Sequence, residues 1–439
     1  MSDAISVSAN GELASKRHPA GLYVLFFTEM WERFSYYGMR ALLVYYMTKH
    51  LLFSQATSSQ IYGLYTGFVY FTPFFGGLLA DRILGQRKTV IIGGVLMAIG
   101  HFLMAFESLF FVALVFLVFG NGAFKPNIST QVGALYKAGD PRRDSAFSIF
   151  YVGINLGAFF SPLVCGTLGE VYGWHYGFGA AGVGMLIGLL VYLWGQKYLA
   201  PDNVMKKAAG EVAKKNAPLT GEEKSAIWAL VILCFFNIIF WGAYEQSGNT
   251  LALWADGHTN RLIMGWEMPA SWYQSFNPAM IFLFTPIVTL FWAWQAKRGK
   301  EPSSMAKMAI GCFFLGLSFL VMMMAAKATG DGKASLWWLV ASTTLLTMGE
   351  LFLSPVGLSL VTKLAPVRMV SMLMGAWFLS SFFGNYISGA LGMLWETMSK
   401  DSFFLITAGL SFSAGLGIFA VLGPLKRAIG HGKKATVDV

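Results

Sequence analysis

Seven ionisable side chains interrupt otherwise apolar stretches of this 439-residue chain: Glu29, Glu32, Arg33, Arg40, Lys125, Glu245 and Glu350. Keeping a charge in hydrocarbon costs about 2.5 kcal/mol or more, so each is a candidate for ligand binding, proton handling or ion pairing. The densest run is Glu29-Met-Trp-Glu32-Arg33-Phe-Ser-Tyr36-Tyr37-Gly38-Met-Arg40. At about 100° per residue its charged and phenolic side chains fall within roughly 140° of one helix face. Glu29 and Arg33 stand at i,i+4 and can close a salt bridge. Lipid would not tolerate this stripe, so it must face the protein interior. A structural ion pair is the bland alternative, and it accounts poorly for two carboxylates beside one guanidinium and two phenols. Arg40, two turns past Glu32 on the same face, has no role assigned beyond pairing near the outer end.

The other buried charges each sit beside a helix-perturbing residue. Phe124-Lys125-Pro126-Asn127-Ile-Ser129 puts a lysine next to a proline that frees a backbone carbonyl, about 15 residues into its span and too deep to snorkel easily. Glu245-Gln-Ser-Gly248-Asn249 and Gly349-Glu350-Leu-Phe-Leu-Ser354-Pro355 place a carboxylate where a helix can open. In Trp272-Tyr-Gln-Ser-Phe-Asn277-Pro278 the asparagine suits a helix-kink hydrogen bond about as well as a ligand contact.

Elements that could position these groups follow from hydropathy. Apolar residues make up 56% of the chain and charged residues 12%, against about 25% charged in soluble domains. The apolar excess is arranged in runs of about 20 residues, enough for a helix to cross a bilayer. Twelve spans are expected, at 21–48, 60–80, 89–106, 109–131, 145–169, 176–199, 226–255, 272–296, 305–327, 335–362, 369–395 and 403–424. Taking alternate loops as facing one side, 24 lysines and arginines fall on the first side and 5 on the second. The first side is therefore cytoplasmic, and so are both termini. The layout is a cytoplasmic segment 1–20, a six-helix bundle 21–199, a polar cytoplasmic linker 200–225, a second six-helix bundle 226–424 and a cytoplasmic tail 425–439. Two bundles rocking about a midplane site would suit this plan.

The net charge of +10 is the basic rim facing anionic lipid and not a nucleic-acid surface. Residues 1–20 lack an apolar core with a cleavage site, so span one is expected to stay uncleaved. Cys165, Cys234 and Cys312 lie inside spans as packing residues.

The loop Gly77-Leu-Leu-Ala-Asp81-Arg82-Ile-Leu-Gly85-Gln-Arg87-Lys88 resembles the signature loop of the major facilitator superfamily, which implies a cytoplasmic gating latch at Asp81 and Arg82. More specifically, Glu29-x-x-Glu32-Arg33-Phe-x-Tyr36-Tyr37-Gly38, Phe124–Ser129, Phe150-Tyr-Val-Gly-Ile-Asn155-Leu-Gly157 and the run from Glu350 to Ser359 resemble motifs of the proton-dependent oligopeptide transporter family. The resemblance covers nearly the whole chain. It implies an all-α membrane protein of the major facilitator fold, with twelve transmembrane helices. Many bacterial members carry two extra helices between the halves, and 200–225 is too short and too polar for them. Animal members place a histidine in span two. None occurs there here, so His101, His175 and His258 are structural or interfacial, and coupling must run through carboxylates.

By this resemblance Arg33 and Lys125 meet a peptide carboxylate, Glu350 its amino group, and Asn155 and Asn277 its backbone, with Tyr36, Tyr37 and Tyr70 lining the cavity. Glu29, Glu32, Arg33 and Glu245 handle the proton. The implied activity is symport of protons with di- and tripeptides, without cofactor or metal, by a monomer in the cell inner membrane. Elementary chemistry agrees, because a dipeptide is a zwitterion with charges about 5–7 Å apart. A dry site for it needs a cation at one end and an anion at the other. A carrier of another anion would want the cations without Glu350. No metalloprotease, nucleophile-elbow or phosphate-loop motif is present, which argues against an enzyme or an ATP-driven pump.

Overall fold

The computed structural model describes residues 17–137, 140–202, 219–330, 332–366 and 369–430. Most of the predicted N-terminal segment, most of the linker with its four lysines, Arg368 and the end of the tail lie outside these residues.

Among the described residues, the regular structure is helical apart from four two-residue strands. Its first half comprises α1 (Ala20–Lys49), α2 (Gln55–Phe71), α3 (Pro73–Leu79), α4 (Gln86–Leu103), α5 (Phe110–Ala134), α6 (Arg142–Ser161) and α7 (Trp174–Gly195). Its second half comprises α8 (Gly221–Tyr244), α9 (Thr250–Gly257), α10 (Phe276–Lys297), α11 (Ser304–Thr329), α12 (Leu336–Leu364), α13 (Val370–Gly392) and α14 (Lys400–Gly430). Eight helical segments among the described residues are long and apolar enough to cross a membrane. The helices below that threshold include α1, which carries the polar stripe.

Local chemistry explains several helix starts. The Thr220 hydroxyl accepts a hydrogen bond from the Glu223 amide (3.1 Å), and the Glu223 carboxylate accepts one from the Thr220 amide (2.9 Å), so two orphan donors at the start of α8 are satisfied together. Ser54 caps α2 through the Thr57 amide. Helix α5 runs through Pro126 without a break.

Buried apolar side chains form two clusters. One joins α1, α2 and α4–α7 and reaches Ala252 of α9 and Ala270, and the other joins α8–α14. Between the halves, α2 lies along α13. A Cβ on Gly63 would come within 2.6 Å of Gly389 Cα, so these helices meet backbone to backbone. Gln55 Nε2 donates to the Gly392 carbonyl (2.9 Å) and Ser59 Oγ to Asn249 Oδ1 (2.8 Å). Lys49 pairs with Asp256 at 2.6 Å on the same end of the molecule.

Candidate functional site

Two groups of buried charge hang from α1. The first is closed within the first half. Arg33 Nε lies 2.9 Å from Glu29 and 2.5 Å from Glu32, and Asn121 of α5 donates to Glu32 at 3.2 Å. All three charged side chains are at most 3% exposed. Helical periodicity puts Glu29, Glu32 and Arg33 on the inner face, as their spacing predicts.

The second group crosses between the halves. Arg40 Nη2 meets Glu245 Oε2 at 2.6 Å, and Arg40 Nε donates to the Tyr62 hydroxyl at 2.8 Å. That hydroxyl lies 3.4 Å from Glu245. The geometry depends on a local break. After α8 the chain tightens into a 3-10 turn at Glu245–Gly248 and resumes as α9 at Thr250. A Cβ on Gly248 would stand 2.0 Å from the Tyr62 oxygen and 3.0 Å from Arg40 Nη2, so only glycine admits this approach. Opening beside Glu245 is the expectation drawn from its Gly-Asn surroundings, and the turn fulfils it.

A cavity of about 150 Å³ lies between the halves. Arg40, Glu245 and Tyr37 face it near the break, Tyr70 and Asn155 from the first half, and Tyr244, Asn277 and Glu350 from the second. Glu350 accepts from Tyr244 at 2.5 Å and from Asn277 at 2.9 Å. Asn277 also donates to Thr347 at 3.0 Å. The kink role that the sequence leaves open for Asn277 is therefore not its contact here: its amide orients a carboxylate. Asn155 Nδ2 is spent on its own helix, at the Tyr151 carbonyl, leaving its amide oxygen for other partners.

Three expected ligand-binding residues do not line this cavity. Arg33 is occupied by Glu29 and Glu32. Tyr36 is buried, with the Arg33 guanidinium 5.6 Å over its ring. Lys125 stands behind the wall, its ammonium 4.4 Å over the Tyr70 ring. The reason is position along the helix axis: Arg40 is seven residues past Arg33, so both share the inner face, but Arg40 is two turns closer to the second half's broken helix. Arg40 is thus the cation that sequence reasoning left without a function. Its position on the charged face of α1 was the available signal.

Asp81 and Arg82, expected as a latch, lie exposed in a turn at Ala80–Leu84. Neither has an ion-pair partner among the described residues. The neighbouring contacts belong to Arg87, whose amide donates to Asp202 (3.0 Å) and whose guanidinium donates to the Leu199 and Ala200 carbonyls. Nearby on the same rim, hydrogen bonds from Arg142 pull the Asp140 carboxyl down to about 2. Among the histidines, His101 is fully buried with no hydrogen-bond partner among the described residues, and His258 stacks on Trp254. Neither touches the cavity. No cluster of metal-ligating side chains occurs among the described residues.

Comparison with known proteins settles the lineage. The family model described as "POT family" matches residues 87–220 and 202–406. The chain belongs to the POT family. It is 37% identical to the peptide transporter YePEPT of Yersinia enterocolitica, covering 85% of this chain and 88% of that one. It is 33% identical to a di-/tripeptide transporter of Lactococcus lactis subsp. cremoris, covering 94% and 97%. The crystal structure of a POT peptide transporter in complex with sulfate superposes with a TM-score of 0.87 at 35% identity, covering 94% of this chain and 96% of that one. Members of this family are transporters and not enzymes, and they need no cofactor.

Proposed function

We propose that this chain imports di- and tripeptides together with protons, by alternating access between two six-helix bundles of twelve membrane spans. In this reading the basic rim and both termini face the cytoplasm, the protein works as a monomer in the cell inner membrane, and the present conformation is closed on the outer side. The observation that carries the proposal is a guanidinium, Arg40, and a carboxylate, Glu350, facing one cavity from opposite halves. A zwitterionic peptide would place its carboxylate at Arg40 and its amino group at Glu350, with Asn277 and Tyr244 holding Glu350 in place. Tyr37, Tyr70, Trp241 and Tyr273 supply adaptable walls for variable side chains. The names of the relatives support peptides as the substrate class.

Coupling follows from the Arg40–Glu245 pair. A peptide carboxylate that takes Arg40 leaves Glu245 buried without its cation, and a buried lone carboxylate takes up a proton. Four buried acids against Arg33, Arg40 and Lys125 leave one negative charge, which one proton removes. Glu29, Glu32 and Arg33 then form a reserve of exchangeable charge about two helical turns further along α1. One charge moving through about 100 mV gains roughly 2.3 kcal/mol, enough to drive accumulation.

The test is uptake into proteoliposomes with an imposed pH gradient, with di-, tri- and tetrapeptides as competitors. Saturable uptake that collapses with the gradient and is blocked by di- and tripeptides is expected. Uptake indifferent to the gradient would overturn proton coupling. Binding that survives Glu350→Ala would favour a carrier of simple anions.

A further inference from the structure

The contacts that close the seam between α6 and α10 include no salt bridge among the described residues. Beyond α6 the chain continues through two wide helical turns, Pro162–Gly166 and Leu168–Tyr172. Glu170 projects from the second. Its two oxygens accept the backbone amides of Ser271 (2.8 Å) and Ala270 (2.9 Å) from the other half. No cation pairs with Glu170 among the described residues.

Around this contact the seam is tight. Trp272 Nε1 donates to Thr167 Oγ1 at 2.8 Å, and Ser275 Oγ to the Phe159 carbonyl at 2.8 Å. A Cβ on Gly166 would fall 2.0 Å from Ser271 Oγ, a fully buried hydroxyl without a hydrogen-bond partner among the described residues. The held residues form the turn Ala270–Ser275, which leads directly into Phe276 and Asn277. Asn277 is the residue that fixes Glu350 at the cavity.

We propose that Glu170 is a positioning residue that links closure of the outer seam to the substrate cavity. Its carboxylate holds the Ala270 and Ser271 amides, so the turn entering α10 presents Asn277 to Glu350 only when the two halves are closed on this side. When the halves part, the carboxylate and both amides become free to hydrate, and Asn277 loses its fixed approach. A carboxylate holding two amides suits such a seam. Hydrogen bonds to a charged acceptor are strong, yet each partner finds water when the contact breaks. The inference rests on the alternating-access reading above.

The experiment is pulsed electron paramagnetic resonance between spin labels at Tyr172 and Met264, which are 67% and 103% exposed on opposite halves. The full chain would be used, with the three native cysteines replaced by alanine and uptake checked. Wild-type protein should show a short-distance population that exchanges with a longer one as peptide and pH vary. Glu170→Ala should raise the ratio of long to short by about a hundredfold or more, as the loss of two hydrogen bonds to a charge requires. It should also raise peptide KM more than it lowers the maximal rate. Glu170→Gln, which keeps an acceptor oxygen, should restore most of the short population. Gly166→Ala strains the same seam without touching Glu170 and should shift the ratio in the same direction. Folded Glu170→Ala protein with wild-type distances overturns the proposal, as does a Gln variant no better than Ala. A wild-type distribution that never moves would instead overturn alternating access, and this inference with it.

Discussion

Two ion-pair clusters on α1 use the same residue types and stand in different mechanical situations. Glu29, Glu32, Arg33 and Asn121 all belong to the first half, so relative motion of the halves leaves their contacts intact. Arg40, Tyr62 and Glu245 bridge the two halves, so the same motion must tear Arg40 from Glu245. An ion pair can report a conformational change only if the change separates its members. The internal cluster can store or pass charge, whereas the bridging cluster can couple charge to opening.

Breaking the bridging cluster should have the largest effect. Arg40→Ala or Glu245→Ala leaves one buried charge without its partner, a loss of about 3–5 kcal/mol. Gradient-driven uptake in proteoliposomes should fall by more than about a hundredfold in either variant. The double variant should regain part of the lost thermal stability, since neither lone charge remains. Equal effects from Arg33→Ala on peptide binding would erase the distinction between the clusters.

At the anionic end of the cavity, Glu350→Ala should raise the KM for dipeptides about thirtyfold or more, as expected for a lost charge-assisted contact. The variant should also stop distinguishing a free dipeptide from its N-acetylated form, as read by competition. Retained discrimination would place the amino-group site elsewhere.

The internal cluster gives a smaller, more diagnostic effect. Glu32→Gln should slow gradient-driven uptake while leaving peptide exchange at equal pH intact, because the amide can neither take up nor release the proton. Driven uptake at the wild-type rate would reduce Glu29, Glu32 and Arg33 to a scaffold. Smallest of all, Tyr62→Phe removes one hydrogen bond from Arg40, worth about 1 kcal/mol. A several-fold rise in KM is expected, measured by the same uptake assay.

Much of the helical plan was legible in sequence. The apolar runs, the Thr220–Glu223 capping pair and the Gly248-Asn249 break are local features, and local spacing sets them. The inner face of α1 was equally legible, because periodicity alone puts Glu29, Glu32, Arg33 and Arg40 together. What spacing could not divide was that face itself. Arg33 and Arg40 look equivalent until α5 supplies Asn121 to one end and the broken α8–α9 segment supplies Glu245 to the other. Depth and the adjacent proline mark Lys125 as functional and the family resemblance makes it a carboxylate ligand, yet its distance from the cavity depends on where Tyr70 of α2 lies. The contact between Glu170 and the Ala270 and Ser271 amides had no sequence signal, since backbone amides look alike at every residue.

The sequence by itself determined which residues are buried and charged, which helix face they share and where helices can open, because periodicity and the cost of charge in lipid act within a single segment. The tertiary structure decided which of those charges meet across the halves and which meet within one. That choice depends on the packing of helices more than a hundred residues apart, held at glycine contacts such as Gly63 against Gly389 and Gly248 against Tyr62, and no single segment encodes it.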